Sequence, residues 1–124
     1  MALVFDAGAL IALEREEPRM KALAVVVGAK GIPVYVPAGV VAQVWRGTPR
    51  QHRLSGLLAT GVVRVDVMDE TTAKAVGVLL RGAGTSDVVD GHVALLGRRT
   101  GGTVFTSDED DIRRIDPSLD IVAV

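Results

Sequence analysis

The sequence contains no cysteine, which removes disulfides, thiol catalysis and zinc–thiolate sites together. Aromatic residues are only 3% of the chain, so Tyr35 and Trp45 read as core or interface residues rather than as platforms for stacked bases. Charge is sparse too. The 14 basic and 15 acidic side chains leave a formal charge of −1, and a strongly basic, nucleic-acid-binding composition is therefore missing. No long apolar run exists either: the longest stretch without a charge is Gly31–Trp45, which contains Pro33, Pro37 and Gln43. A membrane-spanning helix needs about 20 apolar residues, so this stretch reads as core. Met1 leads directly into an apolar run that reaches Asp6, without a basic leader or cleavage site, and the expected location is the cytoplasm. What is present is a chain of 124 residues, 48% hydrophobic, which suits one globular domain and excludes disorder.

The apolar pattern predicts five short strands at Leu3–Phe5, Pro33–Val36, Val62–Val67, Thr103–Thr106 and Asp120–Val124. Helical patterns fill the spaces at Ala7–Glu16, Pro18–Lys30, Ala38–Arg46, Pro49–Thr60, Glu70–Arg81, Asp87–Arg99 and Asp110–Ile115. Asp69 and Ser86 are the expected N-caps of the fifth and sixth of these helices. Alternation of this kind implies right-handed crossovers and a mainly parallel sheet covered on both faces, a three-layer α/β/α Rossmann-like domain spanning residues 1–124. Ligands of such sheets bind at the carboxyl ends of the strands, where the strand order reverses.

Aspartates stand at those ends. Asp6 follows the first strand, and Asp108 follows the fourth by two residues. The helix after Ser86 adds Asp87 and Asp90, whose i, i+3 spacing puts both on one face near its positive end. Two unit charges at 4 Å repel by about 4 kcal/mol at an effective dielectric of 20, so a carboxylate cluster either takes up protons or binds cations. Oxygen ligands suit Mg²⁺ or Mn²⁺, and such ions activate water for phosphodiester hydrolysis. The plainer alternatives are that Asp6, Asp87 and Asp108 cap helices, and that Glu109, Asp110 and Asp111 are solvated first-turn acids. Asp90 lies in an apolar segment and resists that explanation.

The ordered segments LVFDAGALIALE (Leu3–Glu14), VPAGVVAQVWRG (Val36–Gly47), SDVVDGHVALLG (Ser86–Gly97) and TVFTSDEDDI (Thr103–Ile112) resemble the motifs of the PIN-domain family, in particular its VapC-type toxins. The resemblance places the family's acids on Asp6, Asp90 and Asp108, with Thr106 orienting a ligand or water. It implies an Mg²⁺- or Mn²⁺-dependent endoribonuclease acting on structured RNA of the tRNA or rRNA class. It also implies a VapB-type antitoxin partner and a homodimer. One position departs from the pattern: Gln43 stands where the family carries a glutamate, and a carboxamide is the weaker cation ligand. Asp87 is then expected to supply the missing carboxylate, and a catalytically impaired binding module is the alternative reading.

Arg46, Arg50 and Arg53, the only charges between positions 46 and 53, read either as phosphate contacts for RNA or as an ordinary solvated helix start. His52 and His92 read as surface residues. A phosphoacceptor receiver domain fits poorly, because Asp6 is followed by Ala7 and Gly8 and the only lysines are Lys21, Lys30 and Lys74. No G-x-G-x-x-G follows the first strand, which argues against dinucleotide binding.

Overall fold

Short apolar strands with few polar side chains must be covered on both faces, and the chain achieves this with seven α-helices. The computed structural model describes residues 1–124. Its elements are β1 (Leu3–Phe5), α1 (Ala7–Glu14), α2 (Pro18–Lys30), β2 (Val34–Pro37), α3 (Ala38–Val44), a 3₁₀ turn (Pro49–Gln51), α4 (His52–Ala59), β3 (Val63–Asp66), α5 (Glu70–Leu80), α6 (Val88–Thr100), β4 (Thr103–Thr106), α7 (Glu109–Ile115) and β5 (Asp120–Ala123). All five strands are parallel, in the order β3-β2-β1-β4-β5. The chain thus moves outward from β1 to β3 and then returns to the other side of β1, so the order reverses between β1 and β4. Right-handed crossovers put α1–α4 on one face of the sheet and α5–α7 on the other.

The core lies between these layers. Val4, Val36 and Val104 on the three central strands are fully buried, as are Leu10 of α1, Val40 of α3 and Val93 of α6. Phe5 and Phe105 pair edge to face at 5.5 Å across β1 and β4. Helix α6 is buried without interruption from Gly91 to Gly97. Gly91 makes this possible, because a Cβ there would sit 2.8 Å from Val76 Cγ1 and 3.1 Å from Leu80 Cγ, at the contact with α5. No helix is long and apolar enough to cross a membrane.

Several boundaries differ from the sequence expectation. Helix α1 stops at Glu14, two residues early, and Glu16 takes a left-handed backbone with φ 57°. Helix α3 ends at Val44, because Trp45 adopts extended backbone. The segment predicted as one helix over Pro49–Thr60 opens with a 3₁₀ turn. Ser86 is not the cap of α6: Asp87 is, its Oδ1 accepting from Asp90 N at 3.0 Å. Both residues are competent caps by type, and the carboxylate that reaches the third helical amide decides the boundary. Asp69 caps α5 as expected, accepting from Thr72 N at 2.8 Å, which holds its carboxyl below the usual range.

Candidate active site

Asp6 ends β1 and opens α1, and it is buried with 4% exposure. Its Oδ1 accepts from Ala9 N at 2.9 Å as an N-cap, while Oδ2 accepts from Ser107 N at 3.1 Å and from the hydroxyl of Thr106. Capping and site-building are therefore done by the same carboxylate. Thr106 is itself fully buried, and its Oγ1 also accepts from Asp108 N at 2.8 Å. One threonine thereby fixes the position of both strand-end aspartates. Gly8 completes the arrangement, since a Cβ there would lie 2.2 Å from Ser107 Oγ and 2.5 Å from Ser107 Cβ. Only glycine lets the turn after β4 approach the start of α1 this closely.

Asp90 comes to the same edge from the first turn of α6. Burial, followed by the charges of Asp87, Asp108, Asp111 and Asp6, pushes its carboxyl up to about 7. Partial shielding from water and the charges of Asp6, Asp111 and Asp87 also raise Asp108. The structure thus brings Asp6, Asp87, Asp90 and Asp108 within electrostatic reach of one another. Asp111, expected to be a solvated first-turn acid, contributes its charge to the same cluster while lying 3.9 Å from Arg114. The acids gather at this edge without closing together, and no three His, Asp or Glu side chains converge into a metal-holding set. Their donors are all hard oxygens under mutual repulsion, a donor type that suits Mg²⁺ or Mn²⁺ rather than softer metals.

Gln43 sits apart from this cluster. It is exposed on α3 and lines a groove with Ile11, Glu14, Arg15, Arg46 and Arg50. The three arginines singled out from the sequence also separate. Arg53 pairs with Glu16 at 2.8 Å and lines a different cavity, beside Leu10, Leu13 and Leu54. Arg46 donates from one terminal nitrogen to the carbonyls of Ala42 at 3.1 Å and Trp45 at 2.8 Å, at the end of α3.

Two polar residues were misread or missed in the sequence. His92, expected at the surface, is 1% exposed, and its Nε2 lies 2.7 Å from Asp66 Oδ2 at the end of β3. The pair ties α6 to the far side of the sheet, and its partner lies 26 residues away, which local pattern does not reveal. Gln51 is buried: its Nε2 donates to Val44 O at 2.8 Å, and its Oε1 accepts from Arg46 N at 2.7 Å and Gly47 N at 3.2 Å. Nothing in a stretch reading RGTPRQHR distinguishes this glutamine as a clamp. Trp45 is 39% exposed, and Tyr35 is half-buried with Arg64 5.7 Å from its ring, so neither is a core residue.

A doubly wound parallel sheet with aspartates gathered where its strand order reverses defines the class of this α/β domain. The chain belongs to the PIN domain family, which it matches over residues 3–117. No curated protein sequence matches it. Among solved structures, it is similar to FitAB bound to an IR36 DNA fragment, with a TM-score of 0.69 and 18% identity over 98% of this chain and 94% of that one. It is similar to FitAcB from Neisseria gonorrhoeae, with a TM-score of 0.65 and 18% identity over 96% and 95%. It is similar also to VapBC2 from Rickettsia felis bound to a promoter DNA fragment, with a TM-score of 0.70 and 14% identity over 99% and 98%. At these identities the likeness is one of fold.

Proposed function

We propose that the protein is a metal-dependent endoribonuclease of the VapC toxin kind, hydrolysing phosphodiester bonds of structured RNA in the cytoplasm. The observation that carries this reading is the acid set at the β1/β4 reversal, in which Asp90 is pushed up to about 7 by burial and by four neighbouring carboxylates. Asp6, Asp90 and Asp108 are the assigned ligands of Mg²⁺ or Mn²⁺, which supplies charge neutralisation and an activated water when bound. Asp6 is oriented through both oxygens, so its direction is set before any cation arrives. Thr106 positions Asp6 and Asp108 relative to each other. Asp87 is assigned as a fourth carboxylate toward the cation, since only its Oδ1 is engaged in capping α6.

Membership of the PIN family supports a nuclease, and the fold shared with FitAB and VapBC2 supports a VapB-type antitoxin as partner; a homodimeric assembly belongs to the same proposal. A tRNA or rRNA substrate is part of the same proposal. The unclosed acid set and Gln43 favour one competing reading, a PIN module that binds without cutting. Incubation with labelled tRNA and rRNA fragments, with Mn²⁺ or with EDTA, decides between them. Cleavage that needs Mn²⁺ and disappears in Asp6→Asn establishes the nuclease; intact RNA under every condition establishes the binding module. Calorimetric Mn²⁺ titration of Asp87→Asn, which keeps a competent cap, tests that role of Asp87. Unchanged affinity removes it.

A further inference from the structure

The groove between α1 and α3 belongs to no part of the acid set, yet its charge is of the opposite sign. It has a volume of about 490 Å³ and is lined by Ile11, Glu14, Arg15, Gln43, Arg46 and Arg50. Three arginines and one glutamate line it, a formal balance of +2. None of the three arginines takes part in an ion pair. Arg46 and Arg50 are not on a loose arm, because buried Gln51 clamps the turn between them through Val44 O, Arg46 N and Gly47 N. A glutamate at position 43 would halve the excess positive charge. The amide there keeps it and adds N–H donors, which suit phosphate oxygens.

The two helices that wall the groove also begin beside the acids. Ile11 is five residues beyond Asp6 along α1, about 7.5 Å at 1.5 Å per residue. On α3, Gln43 is one turn beyond Gly39, whose Cα packs so tightly on Val89, the neighbour of Asp90, that a Cβ would lie 3.1 Å from Val89 Cγ2. We infer that this groove is a phosphate subsite, in which Arg15, Arg50, Arg46 and the amide of Gln43 hold a backbone phosphate of the RNA strand flanking the bond placed over the acids. On this inference Gln43 is a substrate-binding residue and not a weakened metal ligand. It rests on the nuclease reading and assigns that site its substrate contacts.

The test uses a fluorescein-labelled RNA hairpin with single-stranded flanks, titrated with protein in EDTA between about 50 and 200 mM KCl. Each lost phosphate contact lowers the slope of log affinity against log salt by about 0.7 to 0.9. Arg15→Gln and Arg50→Gln are each expected to show that drop. Arg53→Gln, whose guanidinium is held by Glu16, keeps the wild-type slope. Gln43→Glu is expected to weaken RNA binding while leaving Mn²⁺ affinity, read by calorimetry, unchanged. Wild-type slopes in Arg15→Gln and Arg50→Gln overturn the inference, as does unchanged RNA affinity or tighter Mn²⁺ binding in Gln43→Glu. Unchanged RNA slopes with weakened antitoxin binding overturn it in favour of a protein-facing groove. Cleavage by the wild type with unaltered binding by the variants refutes the groove alone, whereas the expected slopes without any Mn²⁺-dependent cleavage refute the nuclease reading alone.

Discussion

Asp90 is destabilising as a carboxylate, and Asp90→Asn should expose the cost. Its carboxyl moves from 3.8 to about 7 on folding. At about 1.4 kcal/mol per unit the shift corresponds to about 4 kcal/mol, which screening at this half-buried position reduces to about 2 kcal/mol. A negative charge in the first turn of α6 recovers about 0.5 kcal/mol, which asparagine forgoes. The sign follows from linkage: below pH 3.8 the group is protonated in both folded and unfolded chains, so asparagine and aspartic acid are equivalent there. As pH rises to about 7 the folded form holds a proton that the unfolded form has released, and stability falls throughout that window. In EDTA at pH 8, Asp90→Asn is therefore expected to be more stable than wild type by about 1.5 kcal/mol, or about 5 °C in Tm for a domain of this size. At pH 3.5 the two proteins should melt together. Circular-dichroism melts at both pH values measure the difference. A variant that loses stability equally at both refutes the electrostatic account and makes Asp90 an ordinary structural residue. Added Mn²⁺ should raise the wild-type Tm at pH 8 and reduce the gap.

Three further outcomes follow from contacts that positions alone do not disclose. Gly8→Ala should displace Ser107 from Asp6, lowering Mn²⁺ affinity measured by calorimetry more than it lowers Tm, because the clash falls on the site and not on the core. Gln51→Ala removes three hydrogen bonds from a buried clamp and should cost about 1–3 kcal/mol in urea denaturation, with the turn from Arg46 to Thr48 losing amide-exchange protection. A double-mutant cycle of His92→Ala and Asp66→Asn should return a coupling of about 1 to 2 kcal/mol, and additive effects would show that the pair does not tie α6 to β3.

Much of the architecture was legible because it is written in short-range signals. The β-branched runs marked all five strands to within two residues, Asp69 announced α5, and the alternation of elements implied the parallel sheet. The approach of Asp6 and Asp108 was legible by a topological rule: strand-end positions converge where the order reverses, here between β1 and β4. What escaped depends on pairs distant in sequence. Thr106 and Ser107 reach Asp6 across 100 residues, which explains Gly8 and which no local pattern contains. His92 looked like an exposed histidine in an apolar helix until Asp66 came beside it. Arg46, Arg50 and Arg53 are neighbours in sequence, yet Glu16 draws Arg53 toward another cavity, while Arg15, from a different helix, joins the remaining two.

The span of 100 residues between Asp6 and Thr106 also sets the order in which the molecule becomes whole. A chain made from its N-terminus has β1 and Asp6 early, but their hydrogen-bonding partners arrive only with β4, after α6 has brought Asp90. A nascent chain that has not yet added Thr106, Ser107 and Asp108 holds Asp6, Asp87 and Asp90 without the groups that orient Asp6, and closing so long a loop must precede any joint action of the acids. The acid set is therefore complete only once Asp108, in the last fifth of the chain, has been made.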